Sequence, residues 1–367
     1  MSQSPTPLHQ NPDMTFNNPS NGLLSVVTGG AGFIGRHLVG LLLDRGQLVR
    51  VIDVQVPGHL DERVEYFHGS ILDQDLLRTV MEGADQVFHL AANPNMWAFD
   101  KQEFYQLNFM GTRAVLQAAG RAGVKRIVHT STESILKGHK RANGDAVNET
   151  VERTVDDMPG PYCRSKFLAE EEALNAARYG LPVVIVNPTL PIGPGDYLMT
   201  PPTKMLLDFV NGKNPAYLDF EMNLIDVRDA ALGHILAAER GRVGERYILG
   251  GENLCLSQVL KILQDLTDLP MPRLRIPYVL ALGVAAVSEL LADTVTHKPP
   301  PVSLAGVRVA GASMVFDCSK AVRELGLSPR PVRNAIAEGL LFLCEQGRIH
   351  RSGLEARLYA REVTSGH

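Results

Sequence analysis

Short apolar runs alternate in the first half of the chain with segments whose apolar residues recur at helical spacing. The first run covers 24–27, leads into a glycine-rich turn, and is followed by leucines at 38, 41 and 42. Strands that alternate with helices are typical of an α/β protein with a parallel, doubly wound sheet, which binds its ligand at the carboxyl ends of the strands. The pattern predicts further strands over 48–53, 64–69, 86–92, 126–131 and 182–186, and helices over 103–122 and 162–179.

The pattern changes after Asn187. Prolines at 188, 191, 194, 201 and 202 indicate an irregular connection instead of a central strand or helix. A strand is predicted to return over 247–249, followed by a helix over 257–266 with Ser257 as its cap. We therefore expect a smaller, mainly helical C-terminal region that covers the ends of the strands.

An unusually apolar segment covers 276–292, and Glu289 is its only charged residue. It is shorter than the roughly 20 apolar residues that a membrane span needs, and Pro277 and Gly283 interrupt it. A buried or lid helix is the favoured interpretation, because short apolar runs usually belong to the core. A peripheral contact with a membrane surface is the alternative.

The turn after the first strand reads Thr28-Gly29-Gly30-Ala31-Gly32-Phe33-Ile34-Gly35. Glycines at 29, 32 and 35 allow a tight turn, a close approach to a pyrophosphate, and packing of helix on strand; the helix N-terminus offers N–H groups to the phosphates. Asp53 ends the second strand about 20 residues after the glycines, where its carboxylate would accept hydrogen bonds from ribose hydroxyls and repel a 2′-phosphate. No Arg or Lys follows over 54–58, so the sequence predicts NAD instead of NADP.

Composition excludes several other classes of protein. The 367 residues carry a formal net charge of −4, with 45% hydrophobic and 21% charged residues and no long basic block, so we expect a soluble globular protein without a nucleic-acid partner. The four cysteines, at 163, 255, 318 and 344, form no C-x-x-C pair, which argues against a zinc site or a disulfide framework and favours the cytoplasm. His89 and His129 lie in predicted apolar strands and are interpreted as hydrogen-bonded core residues, so no metal is expected.

Tyr162 and Lys166 are four residues apart and therefore share one face of a predicted helix. A phenol with an ordinary pKa of about 10 is a poor base at neutral pH, but a nearby ammonium and a cationic nicotinamide would favour its phenolate. The pair could then exchange a proton with an alcohol. Hydroxyl groups at the end of the fifth predicted strand are candidates for a third catalytic group: Thr130, Ser131 and Thr132.

Together these motifs resemble the extended short-chain dehydrogenases/reductases, the NAD-dependent epimerase/dehydratase family. The resemblance covers roughly residues 23 to 349 and combines several motifs: Thr28-Gly29-x-x-Gly32-x-x-Gly35, His89-Leu90-Ala91-Ala92, Asn108-x-x-Gly111-Thr112, the Ser/Thr cluster and Tyr162-x-x-x-Lys166. Within the family, the segments 162–170, 183–189, 191–194, 245–253 and 317–321 are similar to hopanoid-associated sugar epimerases, dihydroflavonol-reductase-like members and 3β-hydroxysteroid-dehydrogenase-like members.

This resemblance implies a Rossmann domain over 23–188, to which 222–250 returns, and a substrate-binding region over 189–221 and 251–349. It implies catalytic roles for Tyr162, Lys166 and Thr132, with Asn108 holding the active-site helix and able to relay protons. The residues implied to bind NAD are Gly29, Gly32, Phe33, Ile34, Gly35, Asp53, Ile71, Leu90, Ala91, Ala92, Tyr162, Lys166, Asn187 and Pro188.

The candidate substrate contacts are Glu133, Thr189 and Trp97, the last being either a loop anchor or a wall of the pocket. Related dehydratases carry two carboxylates after the catalytic hydroxyl, whereas this chain has only Glu133 there, so elimination would lack a partner. Nucleotide-sugar members tend to carry an arginine just before the segment that corresponds to 224–229, where it binds the diphosphate; this chain has Glu221 in that region.

These features favour an oxidoreductase that interconverts a secondary alcohol and a ketone on a cyclic, lipid-like substrate such as a sterol or triterpenoid. The alternatives are a sugar or nucleotide-sugar epimerase, a dehydratase, and an NAD-binding protein without catalysis. Family members often pair through the helices that correspond to 103–122 and 162–179, so a homodimer is expected. The Ser-, Pro- and Asn-rich stretch 1–22 is expected to be a disordered tail, and 350–367 a second tail.

Overall fold

The computed structural model describes residues 22–56, 61–136, 146–312 and 315–349, together with 354, 355, 357 and 358. The tail predicted for 1–22 lies outside the described residues except for Gly22, and most of the tail predicted for 350–367 lies outside them as well. The four described residues of the second tail are helical, and two of them, Leu354 and Leu358, are buried in the C-terminal core.

The described residues form twelve strands: β1 (Leu24–Thr28), β2 (Leu48–Asp53), β3 (Val64–His68), β4 (Gln86–His89), β5 (Arg126–Thr130), β6 (Val183–Pro188), β7 (Leu190–Ile192), β8 (Ala216–Tyr217), β9 (Glu221–Asp226), β10 (Arg246–Leu249), β11 (Glu252–Cys255) and β12 (Leu274–Arg275). They also form eleven α-helices: α1 (Phe33–Asp44), α2 (Gln74–Met81), α3 (Gln102–Phe104), α4 (Gly111–Arg121), α5 (Pro161–Arg178), α6 (Pro201–Val210), α7 (Val227–Arg240), α8 (Leu256–Thr267), α9 (Tyr278–Leu291), α10 (Leu304–Gly311) and α11 (Val332–Glu345). A π-helical stretch, Tyr105–Met110, joins α3 to α4, so the helix predicted over 103–122 is one continuous helical segment.

Seven parallel strands form the main sheet, in the order β10-β6-β5-β4-β1-β2-β3. This confirms the predicted doubly wound α/β fold. The strand order reverses between β1 and β4, and the crevice at the carboxyl ends of these two strands is where such sheets bind ligands. The apolar side chains of the strands are buried on both faces of the sheet, as the continuous apolar runs in the sequence require.

A second region packs over the strand ends. It contains the helices α6 and α8–α11, a three-stranded sheet in the order β11-β9-β7, and the pair β12-β8. Within the segment 222–250, the strand predicted over 247–249 is β10, which pairs with β6 in the main sheet, and α7 packs on the face of that sheet. Strand β9 is the central strand of the three-stranded sheet. It pairs with β11 in antiparallel and with β7 in parallel orientation.

Three local predictions are corrected by the structure. The strand predicted over 86–92 ends at His89, and α8 begins at Leu256 after Cys255, so Ser257 lies inside the helix and does not cap it. The apolar segment 276–292 forms α9, but only one residue of that helix, Ala285, is buried. Its apolar character therefore does not come from membership of the core.

Candidate active site

The glycine turn places the backbone of β1 and α1 very close to β4. Gly29 has φ +74°, a conformation that favours glycine, and a β-carbon there would lie 2.7 Å from the backbone nitrogen of Ala91. A β-carbon on Gly35 would strike the carbonyl group of Gly29. Gly32 precedes α1 and offers no side chain to cap it, so the first N–H groups of the helix are available to an anion.

Asp53, at the end of β2, is fastened to this turn. Its Oδ2 accepts a hydrogen bond from the N–H of Ala31 at 3.0 Å, and its Oδ1 accepts one from the N–H of Gln55 at 2.9 Å. A carboxylate oxygen has two lone pairs, so both oxygens can still accept bonds from ribose hydroxyls. Arg36 is near enough for Asp53 to raise its pKa, although burial, the largest effect on this arginine, lowers that pKa.

Tyr162 is the second residue of α5, which Pro161 starts after Gly160. Its side chain is buried, and its ring meets Phe104 edge to face, with centroids 6.2 Å apart. The phenol lies near the hydroxyl groups of Thr132 and Ser134, both of which act to lower its pKa, and these two hydroxyl groups are 2.8 Å from each other. The structure thus brings together Tyr162 and Thr132, which are 30 positions apart in the chain.

Ser134 is a site residue that the sequence reasoning missed. Thr132 is extended and begins a short 3₁₀ turn, Glu133–Ile135, in which the N–H of Ser134 bonds to Thr132 Oγ1 at 3.2 Å. The turn carries the Ser134 hydroxyl back to the level of Thr132. Ser and Thr side chains favour such turns, so the Thr-x-Ser spacing in the sequence could have indicated that Ser134 lies near Thr132.

Glu133 is also buried beside the phenol. Its Oε2 accepts a hydrogen bond from Thr132 Oγ1 at 3.0 Å. Burial raises the pKa of Tyr162, and the charges of Cys163 and Glu133 raise it further, whereas the bonds to Thr132 and Ser134 lower it. Burial is the largest of these effects, so the phenol of the cofactor-free protein keeps its proton at neutral pH.

Lys166 lies one helical turn beyond Tyr162 and is buried. Burial lowers its pKa to about 8, and the nearby Glu170 carboxylate opposes this shift. Its Nζ donates a hydrogen bond to the carbonyl of Thr130 at 2.7 Å, at the end of β5. An ammonium has three donors, so two of them are available to hydroxyl groups of a ligand.

Asn108 bridges the π-helical stretch and α5. Its Nδ2 donates to Ser165 Oγ at 2.9 Å, and Ser165 Oγ in turn donates to the carbonyl of Tyr162 at 2.7 Å. Its Oδ1 accepts the N–H of Asn93 at 2.7 Å. Asn108 therefore fixes the first turn of α5 relative to the loop after β4, which is the holding role that the resemblance implies.

A buried chain of hydrogen bonds lies beneath this bridge. Thr112 Oγ1 donates to the carbonyl of Asn108, so it must accept from Nε2 of His89; Nδ1 of His89 is then an acceptor for Thr28 Oγ1 at 2.8 Å. Burial and Lys166 lower the pKa of His89 to about 3, which keeps this histidine neutral. His89 is a hydrogen-bonded core residue, as expected.

His129 differs from its neighbour. Neither of its ring nitrogens has a hydrogen-bond partner in the described part of the chain, contrary to the expectation for it. Burial, the Lys166 ammonium and His89 together hold its pKa well below the usual value. It is a neutral ring packed against that of His89, with centroids 5.4 Å apart.

The end of β6 contributes a second set of polar groups. Asn187 Nδ2 donates to the carbonyl of Thr132 at 3.2 Å and to Glu170 Oε2 at 2.7 Å, and Arg246 lies 3.3 Å from the same carboxylate group. Asn187 Oδ1 and Ser131 Oγ are buried without a hydrogen-bond partner in the described structure. Such orphaned atoms indicate that a polar ligand completes this part of the site.

The remaining residues implied to bind the cofactor are apolar and surround the crevice. The N–H groups of Leu90 and Ala91 bond to the carbonyl and hydroxyl oxygens of Thr28, which fixes the loop after β4 against the glycine turn. Ile71 is buried where a β-carbon on Gly111 would meet its Cδ1. Phe33 and Ile34 begin α1, Ala92 lies in the loop after β4, and Pro188 ends β6.

These groups fit the predicted NAD. The glycine turn leaves room for a pyrophosphate, Asp53 has free lone pairs for the adenosine ribose, and Lys166 has free donors for the nicotinamide ribose. The orphaned oxygens of Ser131 and Asn187 suit a carboxamide. Within the described residues, no group of three His, Cys, Asp or Glu side chains is arranged to hold a metal ion.

The candidate substrate residues Trp97 and Thr189 form hydrogen bonds within the protein. Trp97 Nε1 donates to Asp293 Oδ1 at 2.8 Å, and the Lys101 ammonium lies 4.7 Å from the centre of the indole ring. Trp97 therefore anchors its loop to the residues that follow α9. The N–H of Thr189 is bonded to the carbonyl of Leu249, next to the end of β6.

Comparisons with known proteins agree with this geometry. Residues 25–250 match the model of the NAD dependent epimerase/dehydratase family. The chain is 38% identical over 331 residues to a putative dihydroflavonol 4-reductase of Synechocystis (88% of this chain, 95% of the relative), and 33% identical over 333 residues to sterol demethylase protein B of Methylococcus capsulatus (89% and 100%). It is 30% identical over 332 residues to the decarboxylating sterol-4-alpha-carboxylate 3-dehydrogenase of Mus musculus (85% and 88%). Among solved structures, gox2253 has 34% identity and a TM-score of 0.77, over 89% of this chain and 99% of its own.

Proposed function

Because this chain belongs to the NAD dependent epimerase/dehydratase family, we propose that it uses NAD to interconvert a secondary alcohol and a ketone on a cyclic, lipid-like substrate. The observation that carries this proposal is the position of the Tyr162 phenol, which is buried near the hydroxyl groups of Thr132 and Ser134 and one helical turn from Lys166. Groups placed in this way can transfer a proton to or from an alcohol oxygen.

In this mechanism Thr132 and Ser134 hydrogen-bond the substrate oxygen, and Tyr162 gives a proton to it or takes one from it. Bound NAD supplies the acceptor or donor of the hydride. Burial keeps Tyr162 protonated, so the phenol is ready to donate to a ketone oxygen. In the alcohol direction Tyr162 must lose its proton, and a positive charge on Lys166 favours that loss.

The substrate class rests on the relatives and on the charges of this chain. Two of the relatives named above carry sterol names, and one of them is a 3-dehydrogenase. Glu221 begins β9 in the region where nucleotide-sugar members tend to carry an arginine, and a carboxylate there would repel a diphosphate. Both points favour a neutral, apolar alcohol such as a sterol or triterpenoid derivative.

The test is turnover of purified protein with NAD on a panel of 3-hydroxysteroids, triterpenoid alcohols and nucleotide sugars, followed by mass spectrometry. We expect net NADH with a lipid-like alcohol. A changed sugar without net NADH would assign an epimerase, and loss of water a dehydratase. Absence of any turnover on the whole panel would favour the NAD-binding protein without catalysis.

The matched control is Tyr162→Phe. The neighbouring hydroxyl groups of Thr132 and Ser134 are bonded to each other, so we expect an intact fold and nearly unchanged NAD binding. Turnover should fall by about 10²–10⁴-fold, the usual contribution of a general acid or base. Full activity in this variant would disprove the assigned role of Tyr162.

We propose in addition that two copies pair through the segment 102–121 and α5. Within one copy these helices lie side by side and form a continuous surface. Arg113 on the first forms a bidentate ion pair with Glu172 on the second at 3.0 and 2.9 Å. Both side chains remain partly exposed, as does Tyr105 at the start of the π-helical stretch. Sedimentation analysis of wild type and of Tyr105→Asp tests this, and a monomeric wild type would disprove it.

A further inference from the structure

Helix α9 exposes an unusual amount of apolar surface. It continues through the π-helical residues Ala292–Thr296, and the combined helix, Tyr278–Thr296, is long and apolar enough to cross a membrane by length and composition. Val279 is 79% exposed, Leu290 62% and Val287 60%. The exposed large apolar side chains of this helix are Tyr278, Val279, Leu280, Val284, Val287, Leu290, Leu291 and Val295. Soluble proteins rarely leave so large a contiguous apolar patch without a partner.

The polarity of α9 is the reverse of that of a helix on a soluble surface. At 100° per residue, its exposed residues between 279 and 291 cover about half of the helix, and they are Val279, Leu280, Gly283, Val284, Ala286, Val287, Leu290 and Leu291. The two polar residues, Ser288 and Glu289, are on the less exposed half, and Glu289 Oε2 accepts the N–H of Leu304 at the start of α10. A face of this composition is stable in hydrocarbon and not in water.

We propose that this face of α9 docks on the surface of a lipid bilayer, with the helix lying in the plane of the interface. Both ends of the helix are attached to the same body of the protein. Tyr278 packs against Gly311 of α10, and Asp293, after α9, bonds with Trp97 and Lys101. Crossing the bilayer would break these contacts, whereas lying on it keeps them.

The charges around the helix complement an anionic lipid surface. Arg273 and Arg275 precede α9 and Lys298 follows it; all three are exposed, and Arg275 is also paired with Asp219 at 3.4 Å. The single exposed carboxylate between them, Asp293, is already paired with Lys101 at 3.0 Å. Basic residues that flank a buried apolar face are attracted to anionic headgroups. A second copy of the chain is a poorer partner for this face. If two α9 helices packed together, parallel or antiparallel, the basic residues at their ends would lie next to each other and repel.

Helix α10 links α9 to the start of the catalytic helix α5. Helix α10 packs along α9, and a β-carbon on Gly160 would lie 2.9 Å from the Cβ of Ala305 in α10. Gly160 precedes α5 and is two residues from Tyr162. We infer that a lipid-like alcohol would reach the site from the membrane side of the protein, and this last step alone rests on the proposed function.

The experiment is flotation of the full-length protein with vesicles of phosphatidylcholine, with and without phosphatidylglycerol. We expect binding to the anionic vesicles, weakened by salt. Val287→Asp should reduce the bound fraction by roughly tenfold or more, since it places a charge in the centre of the buried face. Val243→Asp is the matched control, because Val243 is 49% exposed in the loop before β10, outside the docking face, and should bind like wild type.

Val279→Asp gives an independent second variant, and a thermal shift with NAD verifies that each variant is folded. Wild type that stays in the aqueous fraction, or Val287→Asp and Val279→Asp that both bind like wild type, would overturn the proposal. If these variants instead abolish self-association and the wild type ignores vesicles, the face is an interface between copies. Vesicle binding without turnover on any alcohol would leave the docking face standing and disprove only the proposed function.

Discussion

At the scale of single residues, the site contains two ionisable side chains that are buried in the absence of a ligand. Lys166 is buried with one hydrogen bond to a carbonyl, and Tyr162 is buried beside the Glu133 carboxylate. Both environments disfavour the ionised form of the side chain. The protein thus holds in place a protonated phenol and a lysine whose pKa lies closer to neutral pH than usual, and a ligand that adds hydrogen-bond partners to the lysine stabilises its charge.

The pH dependence of stability follows from Lys166. Burial lowers its pKa from 10.5 to about 8, so the unfolded chain binds more protons than the folded one between these values. The free energy of unfolding of the cofactor-free protein should therefore rise, through this group, as pH increases from about 8 to 10.5. Urea unfolding of wild type and Lys166→Met over this range measures it: the stability of wild type relative to the variant should increase. A difference that is constant with pH would contradict the buried position of the lysine.

Cofactor choice is a property of Asp53. Asp53→Asn keeps an oxygen that can accept the N–H of Ala31 but removes the charge that repels a 2′-phosphate, and Arg36 is close by to attract one. We expect NAD to bind about tenfold more weakly, because hydrogen bonds to a charged group contribute about 1.5–3 kcal/mol, and NADP to bind more tightly. Titration calorimetry with both cofactors tests this. An unchanged ratio of the two affinities would show that Asp53 does not face the ribose.

At the scale of elements, the contact between the glycine turn and α1 is the tightest requirement. A β-carbon on Gly35 would strike the Gly29 carbonyl and lie 2.8 Å from the Gly30 α-carbon, so the helix would have to move. Gly40, in the same helix, has nothing within 4 Å of its β-carbon position. Glycines at 35 and 40 therefore have different roles despite their common element.

This difference gives a paired prediction. Gly35→Ala should destabilise the protein by about 1–3 kcal/mol through overpacking and weaken NAD binding. Gly40→Ala should stabilise it by about 0.5–1 kcal/mol, because alanine favours the helix interior. Chemical denaturation of the two variants beside wild type is the measurement. Equal effects of the two substitutions would refute the close contact at Gly35.

At the scale of the whole molecule, the second region is connected to the Rossmann domain by few polar contacts around α9. Trp97, from the loop after β4, bonds with Asp293, which is 196 residues away in the chain. Most of the outward surface of α9 contacts nothing within the described chain. The position of this helix therefore depends strongly on such anchors.

We expect Trp97→Phe to loosen α9 without unfolding the protein. Phenylalanine keeps an aromatic ring but lacks the N–H that donates to Asp293, so backbone amides over 278–296 should exchange with solvent faster while the main sheet keeps its protection. Hydrogen exchange followed by mass spectrometry reports both regions separately. Unchanged exchange over 278–296 would show that Lys101 and α10 hold the helix without Trp97.

The sequence determined the fold and nominated the site residues because the relevant signals are local. Apolar runs, glycine spacing and the i, i+4 pair of Tyr162 and Lys166 depend on near neighbours in the chain, and the seven-stranded sheet follows from them. The same reasoning missed Ser134 and the unpartnered His129, because hydrogen bonding depends on what the fold brings together. The lowering of the Tyr162 pKa by Lys166 and a bound nicotinamide stays a prediction, while burial raises that pKa in the cofactor-free protein.

Only the tertiary structure decided how each apolar segment is used. The runs at β1 and α9 are both mainly apolar, yet one is buried in the sheet and the other lies on the surface. Burial is set by the elements that pack around a segment, and these come from distant parts of the chain. For the same reason β9 pairs outside the main sheet although its neighbour β10 pairs within it. The composition of a segment determines how strongly it favours leaving water. The fold determines whether the segment is buried by other parts of the protein or remains on the surface.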